Sequence, residues 1–190
     1  MNDFIEDHSL KIAFIGNCQM MGMSYYMRRL PCHPLTFWVH YENQIVRPWM
    51  TSLYIWGKEQ LLCNMYEDED IMGVMNICNI FIYKPNYNTI SFLNKYPKTN
   101  GIYVPLSPIF INRIDTEMAR KERKYNINIK ISSLIRQLGA EQSMAGDYKG
   151  NHPSSLLYLL IIKNICQHLG VGYYEPKIYD ILLKQQYPKY

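Results

Sequence analysis

Hydrophobic positions along the chain follow two spacings, one typical of strands and the other of helices. Four short runs are rich in Val, Ile, Phe or Tyr, and we predict strands at residues 10–15, 35–40, 77–83 and 101–106. Between these runs, apolar residues return every three or four positions, which predicts helices at residues 20–30, 52–66 and 88–96. The first two thirds of the chain therefore alternate between strands and helices.

This alternation predicts an α/β fold with a parallel sheet of about four or five strands, flanked by helices. The run at 77–83 is almost continuously apolar, as expected of a strand covered on both faces. The last third is predicted to be helical, at residues 115–126, 129–138, 153–169 and 177–186. In the helix at 153–169, Pro153 suits the first position, His152 the N-cap and Gly170 the C-terminal end.

The length and composition are those of an ordinary globular protein. With 190 residues, of which 48% are hydrophobic and 19% charged, the chain is predicted to form one domain over residues 1–190. No apolar run approaches the roughly 18–20 residues that span a bilayer. The acidic N-terminus has no signal-peptide pattern, so we expect a cytoplasmic protein without a membrane span.

Charge and cysteine content exclude several other classes. A net charge of +4 suits a partner with phosphate groups but is too small for a dedicated nucleic-acid binder, so no nucleic acid is expected. The mixed-sign run Arg120 to Lys124 is typical of a solvated helix face. Five cysteines without a Cys-x-x-Cys pair argue against a metal site or a disulfide framework and favour a reducing compartment.

The first candidate for chemistry is Cys18, in the tetrapeptide Gly16-Asn17-Cys18-Gln19. It lies between the first predicted strand and the helix that follows, and a glycine permits the sharp bend that this requires. A helix N-terminus offers free N–H groups and a partial positive charge that favours a thiolate. The pattern predicts a cysteine nucleophile at the carboxyl edge of the sheet, although a cysteine that only packs under the turn would look the same.

His152 is the candidate base. It lies in a polar loop before an apolar helix, and a histidine at a helix N-terminus tends to stay neutral, as a general base must. Asp147 or Asn151 would orient it, and the sequence does not choose between them. Taken alone, the position of His152 favours a helix cap without a catalytic role.

A third group follows the predicted strand at 77–83. Lys84, Asn86 and Asn88 would lie at the same sheet edge as Cys18. One of these side chains, together with the backbone N–H of Cys18, would line an oxyanion hole. A polar surface turn around Pro85 is the alternative interpretation.

The tetrapeptide, with Gly22 downstream, resembles the first block of SGNH hydrolases, with Asn17 in place of aspartate and Cys18 in place of serine. It resembles more closely the Gly-Asn-Cys-Gln signature of the WcbI-like family of capsular polysaccharide biosynthesis proteins. That family also has a His-Pro that opens a long apolar helix, as His152-Pro153 does here.

The resemblance implies an SGNH-like, flavodoxin-like fold, binding of coenzyme A, and transfer of an acyl group, most simply acetyl, to a saccharide. It gives Cys18 the role of nucleophile and His152 that of base, and it puts Gln19 beside the nucleophile, where its side chain would help to bind the acyl oxygen. Asn17 is a further candidate for binding the oxyanion or the substrate. The family turn after the third strand commonly has glutamine where this chain has Lys84. An ester or thioester hydrolase and a non-catalytic binder of coenzyme A or saccharide are the alternatives.

Overall fold

The computed structural model describes residues 10–27, 34–41, 51–55, 68–96, 100–144 and 152–172. The chain divides into two compact units, Met1–Val104 and Pro105–Tyr190. The expectation of a single domain stays a prediction.

The first unit is an alternation of strands and helices, as the hydrophobic pattern predicts. Its strands are β1 (Lys11–Ile15), β2 (Leu35–Tyr41), β3 (Thr51–Ile55), β4 (Ile80–Tyr83) and β5 (Ile102–Pro105), of which the last residue, Pro105, is already counted in the second unit. Its helices are α1 (Cys18–Met27), α2 (Asp68–Ile77) and α3 (Tyr87–Lys95).

The five strands form one sheet in the order β3-β2-β1-β4-β5. Four of them are parallel, and only β3, at one edge, runs antiparallel to its neighbour β2. The α/β prediction is therefore confirmed. From β1 the chain moves outward to β2, whereas from β4 it moves outward to β5, so the direction of winding reverses between β1 and β4. In such sheets this reversal creates a crevice at the carboxyl ends of the two strands.

Strand β1 occupies the centre because it is apolar on both faces. Ile12, Ala13, Phe14 and Ile15 are all fully buried. Ala13 and Ile15 belong to the core that packs against α2 and α3, together with Phe81 of β4. Because side chains alternate along a strand, Ile12 and Phe14 lie on the opposite face.

Helix α1 covers that opposite face, where two side chains of β2 bond to it and to its turn. Thr36 Oγ1 donates to the carbonyl oxygen of Ser24 in α1 at 3.1 Å, and Trp38 Nε1 donates to the carbonyl oxygen of Gly16 at 2.9 Å. Helices therefore lie on both faces of the sheet, with α1 on one face and α2 and α3 on the other.

Two of the predicted elements were wrong in part. The helix predicted at 52–66 is a strand at Thr51–Ile55, where the backbone pairs with β2, and its remaining residues lie outside the described ranges. The strand predicted at 77–83 begins only at Ile80, because Ile77 ends α2 and the N–H of Cys78 bonds to the carbonyl oxygen of Val74 at 3.0 Å.

The described part of the second unit is mainly helical, as predicted. It contains a 3₁₀ turn (Ile111–Arg113), a π-helical turn (Ile114–Met118), and the helices α4 (Ala119–Lys124), α5 (Ile131–Leu138), α6 (Ala140–Ser143) and α7 (Ser155–Leu169). Its core is formed largely by α7, of which seven residues are buried. The helix predicted at 177–186 lies outside the described residues.

The start of α7 differs from the prediction. Ser154, and not His152, is the N-cap, because Ser154 Oγ accepts a hydrogen bond from the N–H of Leu157 at 3.1 Å. Pro153 precedes the helix and forms an isolated antiparallel bridge with Met144. The other end agrees with the prediction, since Gly170 closes α7 in the left-handed conformation, with φ of 69°.

No helix among the described residues is long and apolar enough to cross a membrane.

Candidate functional site

The turn between β1 and α1 depends on the absence of a side chain at Gly16. Its φ of +147° is one that other residues rarely adopt. A Cβ atom at this position would also lie 2.7 Å from Cγ of Met20, which is well inside contact distance. Glycine therefore allows the chain to pass from strand to helix across only two residues.

Strand β2 holds this turn on both sides of Gly16. The N–H of Gly16 donates to the carbonyl oxygen of Val39 at 2.9 Å, and its carbonyl oxygen accepts from Trp38 Nε1 at the same distance. Trp38 is 8% exposed, and its bond is partly buried. Both peptide groups that flank Gly16 are thus fixed by one neighbouring strand.

Asn17 begins the helix. Its side-chain Oδ1 accepts from the N–H of Gln19 at 3.2 Å, and its carbonyl oxygen accepts from the N–H groups of Met20 and Met21 at 2.8 and 3.3 Å. This use of the side chain is that of an N-cap. Asn17 was predicted to lie beside the substrate. Its Oδ1 makes this structural bond and the residue is exposed, so a place beside the substrate stays a prediction.

Cys18 is the first residue of α1, and its side chain is a half-buried thiol that forms no disulfide. The other described cysteines, Cys78 and Cys166, also form no disulfide and are fully buried. Cys18 is therefore the most accessible thiol of the three. Gln19, the next residue, is 6% exposed, so its side chain is packed within the unit.

Lys84 lies at the end of the neighbouring strand. The last register pair of β1 and β4 is Ile15 with Tyr83. Lys84 therefore follows β4 at the same level at which Gly16 follows β1. The structure thus brings Lys84 to the edge of the sheet that carries Cys18, at the reversal point between β1 and β4. Lys84 is only 7% exposed, a degree of burial that is rare for lysine.

Asn86 is the N-cap of α3. Its Oδ1 accepts from the N–H of Thr89 at 2.8 Å, and a place for Asn86 in an oxyanion hole stays a prediction. Asn88 is the second residue of the same helix. Tyr87, the first, is 82% exposed and places an aromatic ring in solvent at this edge.

Tyr83 has an altered ionisation. Burial, and to a smaller extent the neighbouring Tyr103, raise the pKa of Tyr83 above its ordinary value. The two rings meet edge to face with 6.4 Å between their centroids. Tyr83 therefore stays neutral to a higher pH than an exposed tyrosine.

His152 belongs to the second unit, where it is half-buried and lies three residues before α7 begins. Because Ser154 caps the helix, the alternative in which His152 is only a cap is wrong. Asp147 and Asn151, its proposed orienting partners, lie outside the described residues. The pairing of His152 with Cys18 stays a prediction.

Two residues of the charged run in α4, Lys121 and Glu122, contact other parts of the second unit. The two carboxylate oxygens of Glu122 accept from the backbone N–H and the hydroxyl of Ser132 at 3.1 and 2.6 Å, at the first turn of α5. Lys121 lies over the ring of Phe110, with Nζ 4.9 Å from the centroid. Arg120 and Arg123 are exposed, in agreement with a solvated face.

Within the described ranges, no group of three or more His, Cys, Asp or Glu side chains is arranged to hold a metal ion.

Trp38 is the residue of the site that the sequence did not single out. Its contribution depends on the register in which Phe14 of β1 pairs with Trp38 of β2, since this places the indole two residues from Gly16. A tryptophan in a strand that follows a glycine turn is the only signal in the sequence, and by itself it does not distinguish this role from core packing.

Comparison with known proteins does not identify the chain. No family model matches this sequence, and no curated protein matches it. The function is therefore inferred from the site itself and from the resemblance of its tetrapeptide.

Proposed function

We propose that the protein is an acyltransferase that carries an acyl group, most simply acetyl from acetyl-CoA, through Cys18 to a sugar hydroxyl. The observation that supports this function is the setting of Cys18. It is a half-buried thiol at the first residue of α1, at the end of the central strand, beside the point where the winding of the sheet reverses. The likeness of its tetrapeptide to the WcbI-like signature supports the choice of donor and acceptor.

In the first half of the reaction, His152 takes the proton of the Cys18 thiol, and the sulfur attacks the acyl carbonyl carbon of the donor. The tetrahedral intermediate collapses with cleavage of the bond to the sulfur of coenzyme A. The departing thiolate takes the proton from His152, and the acyl group stays on Cys18 as a thioester.

In the second half, the acceptor hydroxyl gives its proton to His152, and its oxygen attacks the thioester. The bond to Cys18 breaks, and the proton returns to the Cys18 sulfur. If water takes the place of the sugar, the same two steps make the protein a hydrolase.

Two features of the first unit support binding of such a substrate. A buried lysine at the sheet edge, Lys84, supplies positive charge for a carbonyl oxygen that becomes negative or for a phosphate of the donor. The exposed ring of Tyr87 is suited to packing against a sugar or a base. Coenzyme A as the donor also agrees with the cytoplasmic location that the sequence predicts.

The test is the intact mass of the protein after incubation with acetyl-CoA. We expect the wild-type protein to gain one acetyl group on Cys18 and Cys18→Ala to gain none. With an acceptor present, turnover by Cys18→Ala should fall on the order of 10³-fold or more. Cys18→Ser is the matched variant, because it keeps the shape and a hydroxyl but lacks the thiol.

Three other results would change the conclusion. Release of coenzyme A that depends on Cys18, without an adduct, would indicate hydrolysis. Binding of acetyl-CoA that Cys18→Ala retains, without release, would indicate a non-catalytic binder. An adduct that His152→Gln forms at the wild-type rate would remove His152 from the mechanism.

A further inference from the structure

We infer that Trp38 is a positioning residue for Cys18, through a hydrogen bond that fixes the turn between β1 and α1. The inference rests on the proposed function, because it assigns a role in the reaction of Cys18. It comes from the bond of 2.9 Å between the indole N–H and the carbonyl oxygen of Gly16.

The bonded carbonyl belongs to the peptide group that joins Gly16 to Asn17. Glycine reaches both signs of φ at little cost, so this peptide group is the part of the turn that is easiest to rotate. Val39 fixes the preceding peptide group through the N–H of Gly16, which leaves Trp38 to fix the following one. Asn17 then caps the helix, and Cys18 is its first residue.

Loss of the indole N–H releases the peptide group two residues before the reactive sulfur. The cap at Asn17 and the direction of the first N–H groups of α1 depend on that peptide. The sulfur then samples several positions, and it spends less time in the one that is aligned for attack on the acyl carbonyl. Reaction slows, whereas substrate contacts made elsewhere are kept.

Thr36 provides a matched control. It lies two residues earlier on the same face of β2, and its Oγ1 also donates to a backbone carbonyl of the α1 region, that of Ser24, at 3.1 Å. Both side chains are buried, and both bonds join β2 to the same segment. Only the bond of Trp38 reaches the turn.

The experiment compares Trp38→Phe with Thr36→Val. For Trp38→Phe, we expect kcat of acyl transfer to fall about 10- to 100-fold with KM nearly unchanged. We also expect the rate at which iodoacetamide alkylates Cys18, followed by the mass of the Cys18 peptide, to fall about fivefold, because the sulfur is less often in its reactive position. Thr36→Val should keep both rates near the wild-type values, even where its stability is lower.

Equal effects of the two variants on kcat and on alkylation would overturn the inference, because they would indicate general loosening of the unit. So would a Trp38→Phe variant with the wild-type kcat. The wild-type protein could form no acetyl adduct while Trp38→Phe is still alkylated more slowly. That result would contradict the proposed function and support the positioning role, so failure of the function and failure of the positioning role are distinguishable.

If Trp38→Phe does not fold, an isosteric replacement of the indole N–H tests the inference. Trp49 and Trp56, the other two tryptophans, are changed to phenylalanine, and Trp38 is replaced biosynthetically by benzothienylalanine, which has sulfur in place of the N–H. Alkylation of Cys18 is then compared with that of the same variant containing tryptophan. A slower rate supports the inference, and an unchanged rate overturns it.

Discussion

The turns after β1 and β4 lie side by side at one edge of the sheet, and each leads to a helix that an asparagine caps. They are built differently. The turn after β1 needs a glycine at φ of +147° and is held by two hydrogen bonds from β2. The turn after β4 contains Pro85, and its cap residue Asn86 has an ordinary extended conformation, with φ of −144°.

The difference shows how one fold produces two kinds of sheet edge. An ordinary cap is sufficient to start a helix and leaves a few residues of connection. The turn at Gly16 has fewer residues between strand and helix, and it puts Cys18 at the first position of α1. A fixed, unusual backbone next to a half-buried thiol is more typical of a reactive site than of a simple connection.

Gly16→Ala should have the largest effect on stability. We expect it to lower the free energy of unfolding by about 1–3 kcal/mol, because alanine is strained at this φ and its Cβ meets Met20. Urea denaturation measures the change. Gly73→Ala in α2 is the control: its Cβ would meet nothing within 4 Å, so it should raise stability by about 0.5–1 kcal/mol.

The same measurement on Pro85→Ala tests the other turn. We expect a loss of at most about 1 kcal/mol, because the change mainly increases the conformational freedom of the unfolded chain. A larger loss for Pro85→Ala than for Gly16→Ala would contradict the comparison.

Removal of the helix caps at Asn17 and Asn86 should have an intermediate effect on the free energy of unfolding. Asn86→Ala should lower stability by about 1 kcal/mol, and Asn86→Asp should restore most of it, because a carboxylate accepts the same bond and suits a helix N-terminus. Asn17→Ala should lower stability less, since its bond of 3.2 Å is longer and the residue is exposed.

Thermal unfolding and alkylation of Cys18 together distinguish the effect of the Asn17 cap from that of the Asn86 cap. We expect the alkylation rate of Cys18 to change in Asn17→Ala and to stay the same in Asn86→Ala. If both variants altered it equally, the two turns would not be independent.

The smallest effect concerns pH. Because the pKa of Tyr83 is raised in the folded state, its contribution to stability is present below the ordinary tyrosine pKa of about 10 and is lost as the pH rises through the folded pKa. Tyr103→Phe should lower the pKa of Tyr83 only in part, because burial is the larger cause. The pKa of Tyr83 is measured by ultraviolet titration of the protein in comparison with Tyr83→Phe. An unaltered pKa of Tyr83 in Tyr103→Phe would exclude the contribution of Tyr103.

Much of the first unit was predictable because its strands are locally apolar. β1 and β2 agree with the predicted runs to within one residue at each end, and so does α3. The strand β3 was missed, because its backbone pairs with β2 and sequence spacing alone does not report a tertiary partner. The break between α2 and β4 was missed because the apolar run continues through Ile77 and Cys78 without a turn signal.

The location of the site could be predicted from the sequence, but the hydrogen bonds that hold its turn could not. Parallel strand order alone brings Cys18 and Lys84 to one edge, since each follows a strand directly. The bond from Trp38 requires the register of β1 with β2 as well. At His152, a proline at the following position suggested a helix start, but the hydroxyl of Ser154 formed the cap instead.

The bond between Trp38 and Gly16 joins residues that are 22 positions apart. A sequence motif for this turn therefore has two separate parts, the tetrapeptide and a ring N–H donor on the next strand. Grafting the tetrapeptide alone into another strand–helix junction would transfer the cysteine without the donor that holds it. A successful transplant would have to include β2 and keep its alignment with β1.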